Sequence, residues 1–142
     1  MREISIRLPF LLPLENKQHR MHYHAKRDVK DQIIGEFMAA GVLPGREPMK
    51  FAEIVVWRHS TREPDVPGQY GQLKQLLDVL QPEGPLRKVK NKFQNANPGG
   101  LGIILNDSPS HIVVRPLWLK SKLSEQHTMI RIREIASIDV DA

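Results

Sequence analysis

Residues 61–80, TREPDVPGQYGQLKQLLDVL, place Glu63 and Asp65 either side of a proline at a break in the chain. A third carboxylate, Asp107, stands in NDSPS at 106–110. Glu63 and Asp65 follow FAEIVVWRH at 51–59, and Asp107 follows LGIIL at 101–105; both runs read as buried strands. If those strands are neighbours, all three carboxylates gather at one sheet end. Clustered carboxylates repel one another unless a cation lies between them. Hard divalent ions such as Mg²⁺ take oxygen ligands of this kind and leave positions for water and phosphate. In a basic protein that arrangement points to phosphodiester hydrolysis, with the metal polarising the phosphate and activating a water. A plainer reading stands beside it. Asp and Glu close turns and cap helices. On that reading Asp65 caps the helix that follows, and Asp107 is a turn residue.

The elements that must position these residues follow from the pattern of apolar positions. EISIRL, 3–8, alternates apolar and polar residues and reads as a half-buried strand. Pro9 and Pro13 open a polar, basic loop, LENKQHRMHYHAKRDVK. It runs into a helix in which Val29, Ile33, Ile34, Phe37 and Met38 recur at helical spacing, ended by Gly41 and Pro44. After the 51–59 strand a single helix is expected over about 69–80. Leu73, Leu76, Leu77 and Leu80 form its buried stripe, with Lys74 and Asp78 four apart and able to pair. Residues 81–100 form an irregular basic insert, a loop or a hairpin, carrying Arg87, Lys88, Lys90 and Lys92. HIVVRPLWL, 111–119, is a strand whose Pro116 favours an edge or a bulge. HTMIRIREI, 127–135, is the last strand, with Ile130 and Ile132 inward and Arg131 and Arg133 outward. The order β-α-β-α-β-β-β implies an α+β fold: one domain over 1–142, a mixed β-sheet with two helices packed on one face.

The 142 residues carry a formal net charge of +5, which favours a polyanionic partner, nucleic acid first among them. With no cysteine, a disulfide framework and a Cys-based zinc site are both excluded. No segment reaches the roughly 18 apolar residues of a membrane span. The N-terminal run is broken by Pro9, Pro13 and charges and makes a poor signal peptide, so a cytoplasmic protein without membrane contact is expected. Arg20, Lys26, Arg27 and Lys30 are candidate phosphate contacts at the helix entry, against a plain solvated helix start. Arg87, Lys88, Lys90 and Lys92 could grip nucleic acid or be a solvated loop. Phe93 could stack on a base or pin the insert to the core. His22 and His24, with His19 nearby, form a weak zinc pattern. His111 is either a general acid near Asp107 or the start of a strand. Trp57 and Trp118 suit a core or an interface.

Glu63-Pro-Asp65, then a helix with Lys74, Asp78 and Leu80 as K-x-x-x-D-x-L, then Ile104-Leu105-Asn106-Asp107-Ser108-Pro109, resembles the RusA family of Holliday junction resolvases, especially its phage-borne members. ISIRLPF, the PLENK turn with Asn16, and RMHYHAKRDVK extend the resemblance over about residues 4–135. The resemblance implies a mixed sheet with two helices on one side, a homodimer, and Mg²⁺- or Mn²⁺-dependent cleavage of four-way DNA junctions by paired nicks. It places Glu63, Asp65 and Asp107 as catalytic metal ligands and Lys74 as the helix lysine that assists catalysis. Glu63 replaces an aspartate of the family pattern, Val66 its asparagine and Asn106 the first of its paired aspartates. The stretch from Asp65 to Lys74 and the 81–100 insert are longer than the pattern. A weakened nuclease or a DNA- or RNA-binding module on the same scaffold is therefore the alternative, with a ribosome-associated structural protein as a third reading.

Overall fold

The computed structural model describes residues 1–14 and 21–138. The apolar alternation at the start forms β1, Glu3–Leu8, with Ile4, Ile6 and Leu8 buried and their neighbours exposed. β1 lies at one edge of a four-stranded sheet ordered β1-β6-β2-β5, where β2 is Ala52–Ser60, β5 Ile112–Lys120 and β6 His127–Glu134. β6 is antiparallel to both β1 and β2, and β5 is parallel to β2, so the sheet is mixed. Pro116 falls on β5, the other edge, where its missing N–H faces no further strand.

α1, Tyr23–Ala39, starts at His22, whose Nδ1 accepts the His24 N–H at 3.3 Å. It stops in a Schellman turn: Val42 N–H donates to Phe37 O and Gly41 N–H to Met38 O. Gly41 carries the positive φ, +88°, that this turn requires. The expected single helix over 69–80 is instead two short ones, α2 Val66–Gly71 and α3 Lys74–Leu80. Asp65 starts α2 early, with Pro67 in its first turn. At Leu73 the backbone bond moves to Tyr70, three residues back, and the ladder breaks there. Ile33 and Phe37 of α1 and Leu76, Val79 and Leu80 of α3 share one core with the inward residues of β1, β2 and β6. The helices therefore cover one face of the sheet. The other face carries Trp57, Met129, Leu117 and Leu119, and the Glu53 carboxylate bridged to Arg115, Arg131 and Arg133.

The basic insert is a hairpin, β3 Leu86–Val89 with β4 Lys92–Asn95. Its two-residue loop, Lys90-Asn91, has both φ angles positive, the backbone of a type I′ turn. The expected strand at 101–105 does not join the sheet. Leu101, Ile103 and Ile104 are buried, but they form only isolated bridges to Pro82 and Met49. Their N–H groups donate to Val79 O and Leu80 O, the carbonyls left open at the end of α3. The run is apolar because it plugs the core beneath a helix end, and its length was a weak guide to strand pairing. Among the described residues no helix is long and apolar enough to cross a membrane.

Candidate nucleic-acid interface

α3 is the ridge between two clefts. Helical spacing puts Tyr23, Lys26, Arg27 and Lys30 on one stripe of α1, which continues one turn further on into the buried Ile33 and Phe37. That face meets Lys74, Gln75 and Asp78 of α3, and the hairpin closes the third side with Arg87, Gln94 and Asn95. The resulting cleft has a volume of about 550 Å³ and is lined by five cations against one carboxylate, Asp78. Asp78 does not pair with Lys74, as its spacing allowed. Its Oδ2 lies 3.2 Å from Lys30 Nζ and ties α3 to α1. Arg27 is committed as well, with Nε 3.3 Å from Asp31 and Nη1 donating to Pro98 O at 3.0 Å. Lys26, Lys74 and Arg87 form no ion pair among the described residues. Three uncommitted cations, drawn from three separate elements, give this cleft a positive lining.

On the far side of α3 a second cleft, about 520 Å³, is lined by Tyr70, Leu73, Leu77, Pro109, Ile112 and Val114, with Lys74, Asp78 and Asp107 as its charged groups. Lys74 therefore faces both clefts. Asp107 borders the second cleft alone.

The three expected carboxylates are not gathered. β2 and β5 run parallel with Ala52 beside Ile112 and Ser60 beside Lys120. Glu63 and Asp65 follow the Ser60 end, whereas Asp107 precedes the Ile112 end. At ~3.3 Å per residue these strand ends are about 25 Å apart. The premise that failed is the sheet strand at 101–105, because the neighbours of β2 are β5 and β6. Asp65 also has local work: its Oδ1 accepts the Gly68 N–H at 2.8 Å and caps α2. A Cβ at Gly68 would lie 2.7 Å from that oxygen, so the cap needs a glycine there. Glu63 is exposed on the same turn. Among the described residues, no three His, Cys, Asp or Glu side chains are grouped so as to hold a metal ion.

Of the other expected contacts, Lys26, Arg27, Lys30 and Arg87 line the basic cleft, and Lys88, Lys90 and Lys92 ride exposed on the hairpin beyond it. Arg20, Asn16 and His19 lie outside the described residues. His111 is engaged structurally: its Nδ1 is 2.9 Å from Lys50 O and its ring stacks on Phe51. Sequence reasoning missed the amides Gln75, Gln94, Asn95 and Asn97 in the cleft wall, since single amides carry no periodic signal. It also missed Arg58. This residue is buried on the covered face, where Nη1 donates to Leu12 O at 2.7 Å and Gln72 Oε1 at 3.2 Å. It forms no ion pair among the described residues, and burial pushes its guanidinium below the usual arginine range. Arg58 anchors the 9–14 loop and the α2–α3 joint behind the clefts. Compared with protein-family models and with curated proteins, the chain matches none.

Proposed function

We propose that this chain binds branched DNA by its phosphate backbone in the basic cleft and cuts it as a junction-resolving endonuclease of the RusA type. The observation that carries the binding half is the convergence of Lys26, Lys74 and Arg87, uncommitted and from separate elements, on one cleft. Such a set holds phosphates without reading bases, and a junction is distinguished from duplex by where its phosphates lie. The cutting half is supported by the order of the motifs, and by Lys74 and Asp107 bordering one cleft. Lys74 neutralises charge that builds on the phosphate oxygens, and Asp107 orients the attacking water.

The resemblance brings Mg²⁺ or Mn²⁺ with it. Among the described residues Glu63, Asp65 and Asp107 do not form a three-carboxylate set. Paired nicks need two sites, and a two-fold homodimer goes with the reading. The sheet face left open by the helices, with Trp57, Leu117 and Met129, is the surface on which a second copy would pack. A cytoplasmic location follows from the DNA substrate.

The capping role of Asp65 favours a second reading, in which the chain binds junctions and does not cut them. One experiment separates the two. A labelled four-way junction and a matching duplex are incubated with the protein in Mg²⁺, in Mn²⁺ and in EDTA, with Asp107→Asn alongside. The resolvase reading expects paired, metal-dependent nicks in the junction, lost in Asp107→Asn while binding persists. Tight binding with no cut in any arm leaves the binding module. Absence of salt-sensitive binding removes both.

A further inference from the structure

Phe93 is large, apolar and 73% exposed at the end of a two-stranded hairpin. The alternative use for it, pinning the insert to the core, does not occur. The hairpin has its own anchor at the base: Gly84 N–H donates to Ala96 O, Ala96 N–H to Pro85 O, and Asn97 Nδ2 to Asp78 O at 2.7 Å. Phe93 is therefore free of that duty and is carried by a mounted element. Directly opposite it in register is Lys88, with Lys90 and Lys92 at and beside the turn, all exposed. Arg87 and Gln94 form the adjacent pair, so they project from the hairpin's other face, and they line the basic cleft. An exposed ring beside a lysine, on a hairpin whose other face lines a cationic groove, has the composition of a single-strand stacking platform. A ring has no use for a fully stacked duplex, whose base faces are covered. It has a partner wherever a base is unstacked.

We propose that the 86–95 hairpin is a base-stacking finger. Phe93 stacks on an unpaired nucleobase at the branch point, while the backbone beside it lies in the cleft. This rests on the nucleic-acid reading above and adds to it a second source of preference for branched or single-stranded DNA, the exposed face of an unstacked base. The cations of the finger hold the strand, and the ring rewards only an unstacked base. The type I′ turn fixes the two strands of the finger in one register and so fixes where the ring stands.

The test compares the full chain with Phe93→Ala and Phe93→Tyr on three probes: a four-way junction with 2-aminopurine at its branch point, a short oligothymidylate, and an uninterrupted duplex. Phe93→Ala should weaken junction and oligothymidylate binding about tenfold and abolish the 2-aminopurine signal, while duplex binding changes less than about twofold. Phe93→Tyr keeps the ring and should keep the signal. Equal affinity of Phe93→Ala and the parent chain on all three probes overturns the finger and leaves the cleft reading standing, because the duplex arm reports the cleft alone. An equal loss on all three probes also overturns it, since Phe93 would then be supporting the cleft. Changed self-association without changed DNA binding overturns it in favour of a protein contact. Failure of the parent chain to bind any probe removes both readings.

Discussion

The Glu-Pro-Asp turn leads into α2, and the basic cleft flanks α3 a few residues later. Both hold charged side chains of the types that nucleic-acid chemistry uses. In the turn, Asp65 is bound to the backbone of its own helix start, three residues away. In the cleft, Lys26, Lys74 and Arg87 come from elements far apart in sequence and have no ion-pair partner among the described residues. The difference is one of range. A short acidic side chain next to a helix start finds open N–H groups within its own reach and satisfies them. Long basic side chains brought together by the tertiary fold outnumber the one carboxylate among them, and the surplus positive charge attracts an anion. Charge that folding leaves uncommitted is the better guide to a binding site than charge that merely clusters in sequence.

The largest expected effect tests the uncommitted side. Removing all three cations, Lys26→Ala with Lys74→Ala and Arg87→Ala, should weaken DNA binding on the order of a hundredfold or more at low salt. The slope of log affinity against log salt should flatten by about three, roughly one for each phosphate no longer neutralised. Circular dichroism and urea unfolding should stay close to the parent chain, because none of the three forms an ion pair among the described residues. Unchanged affinity and slope would move the interface elsewhere, to the exposed hairpin lysines first.

Elements with a strong local period were legible in the sequence. β1, β6 and α1 declare themselves through alternation or helical spacing, and the α1 stop through Gly41. Pro116 marked an edge strand, which β5 is. The run 101–105 was misleading because apolar content reports burial and not pairing. Those residues are buried against a helix end, and their hydrogen bonds go to its carbonyls. With that strand outside the sheet, adjoining strand ends do not bring Asp107 to Glu63 and Asp65. The cleft was half legible. Its cations could be named one by one from the helix entry and the insert, but their meeting depends on how a hairpin folds back onto α1. No local pattern encodes that. Gln75, Gln94 and Asn97 were invisible for the same reason.

Asp65 allows a sharper cut at the same comparison. Asn caps a helix about as well as Asp, whereas Ala does not. Asp65→Ala should cost about 1 kcal/mol of stability in urea unfolding, the usual value of an N-cap. Asp65→Asn should leave stability nearly unchanged while removing the charge. If the cap is the whole role of this residue, junction binding and any cleavage survive in Asp65→Asn. If cleavage disappears with stability intact, the second oxygen of Asp65 has a function that the fold does not use, and the turn belongs with the cleft after all.

The smallest expected effect lies on the sheet face opposite the helices. The rings of His59 and His127 stack there with centroids 4.1 Å apart. Burial, then the charge of His127, then Arg7, hold the His59 imidazole below its usual pKa of 6.5. The unfolded chain then takes up this proton more readily than the folded one. Stability from this site is present above pH 6.5 and is lost as pH falls through that value towards the lower folded one. Because the site is largely solvated, the change in melting temperature between about pH 7.5 and 5.5 should be only a degree or two. His59→Gln should remove it from the difference between parent and variant, and superimposable profiles would show that the stack is electrostatically silent. The cleft lies across the sheet, so DNA bound there should leave this pH difference as it was. A second copy packed on the open face would bury the pair further and steepen it. The same melting series, run at two protein concentrations with and without DNA, therefore distinguishes a face that waits for a partner from one that is simply wet.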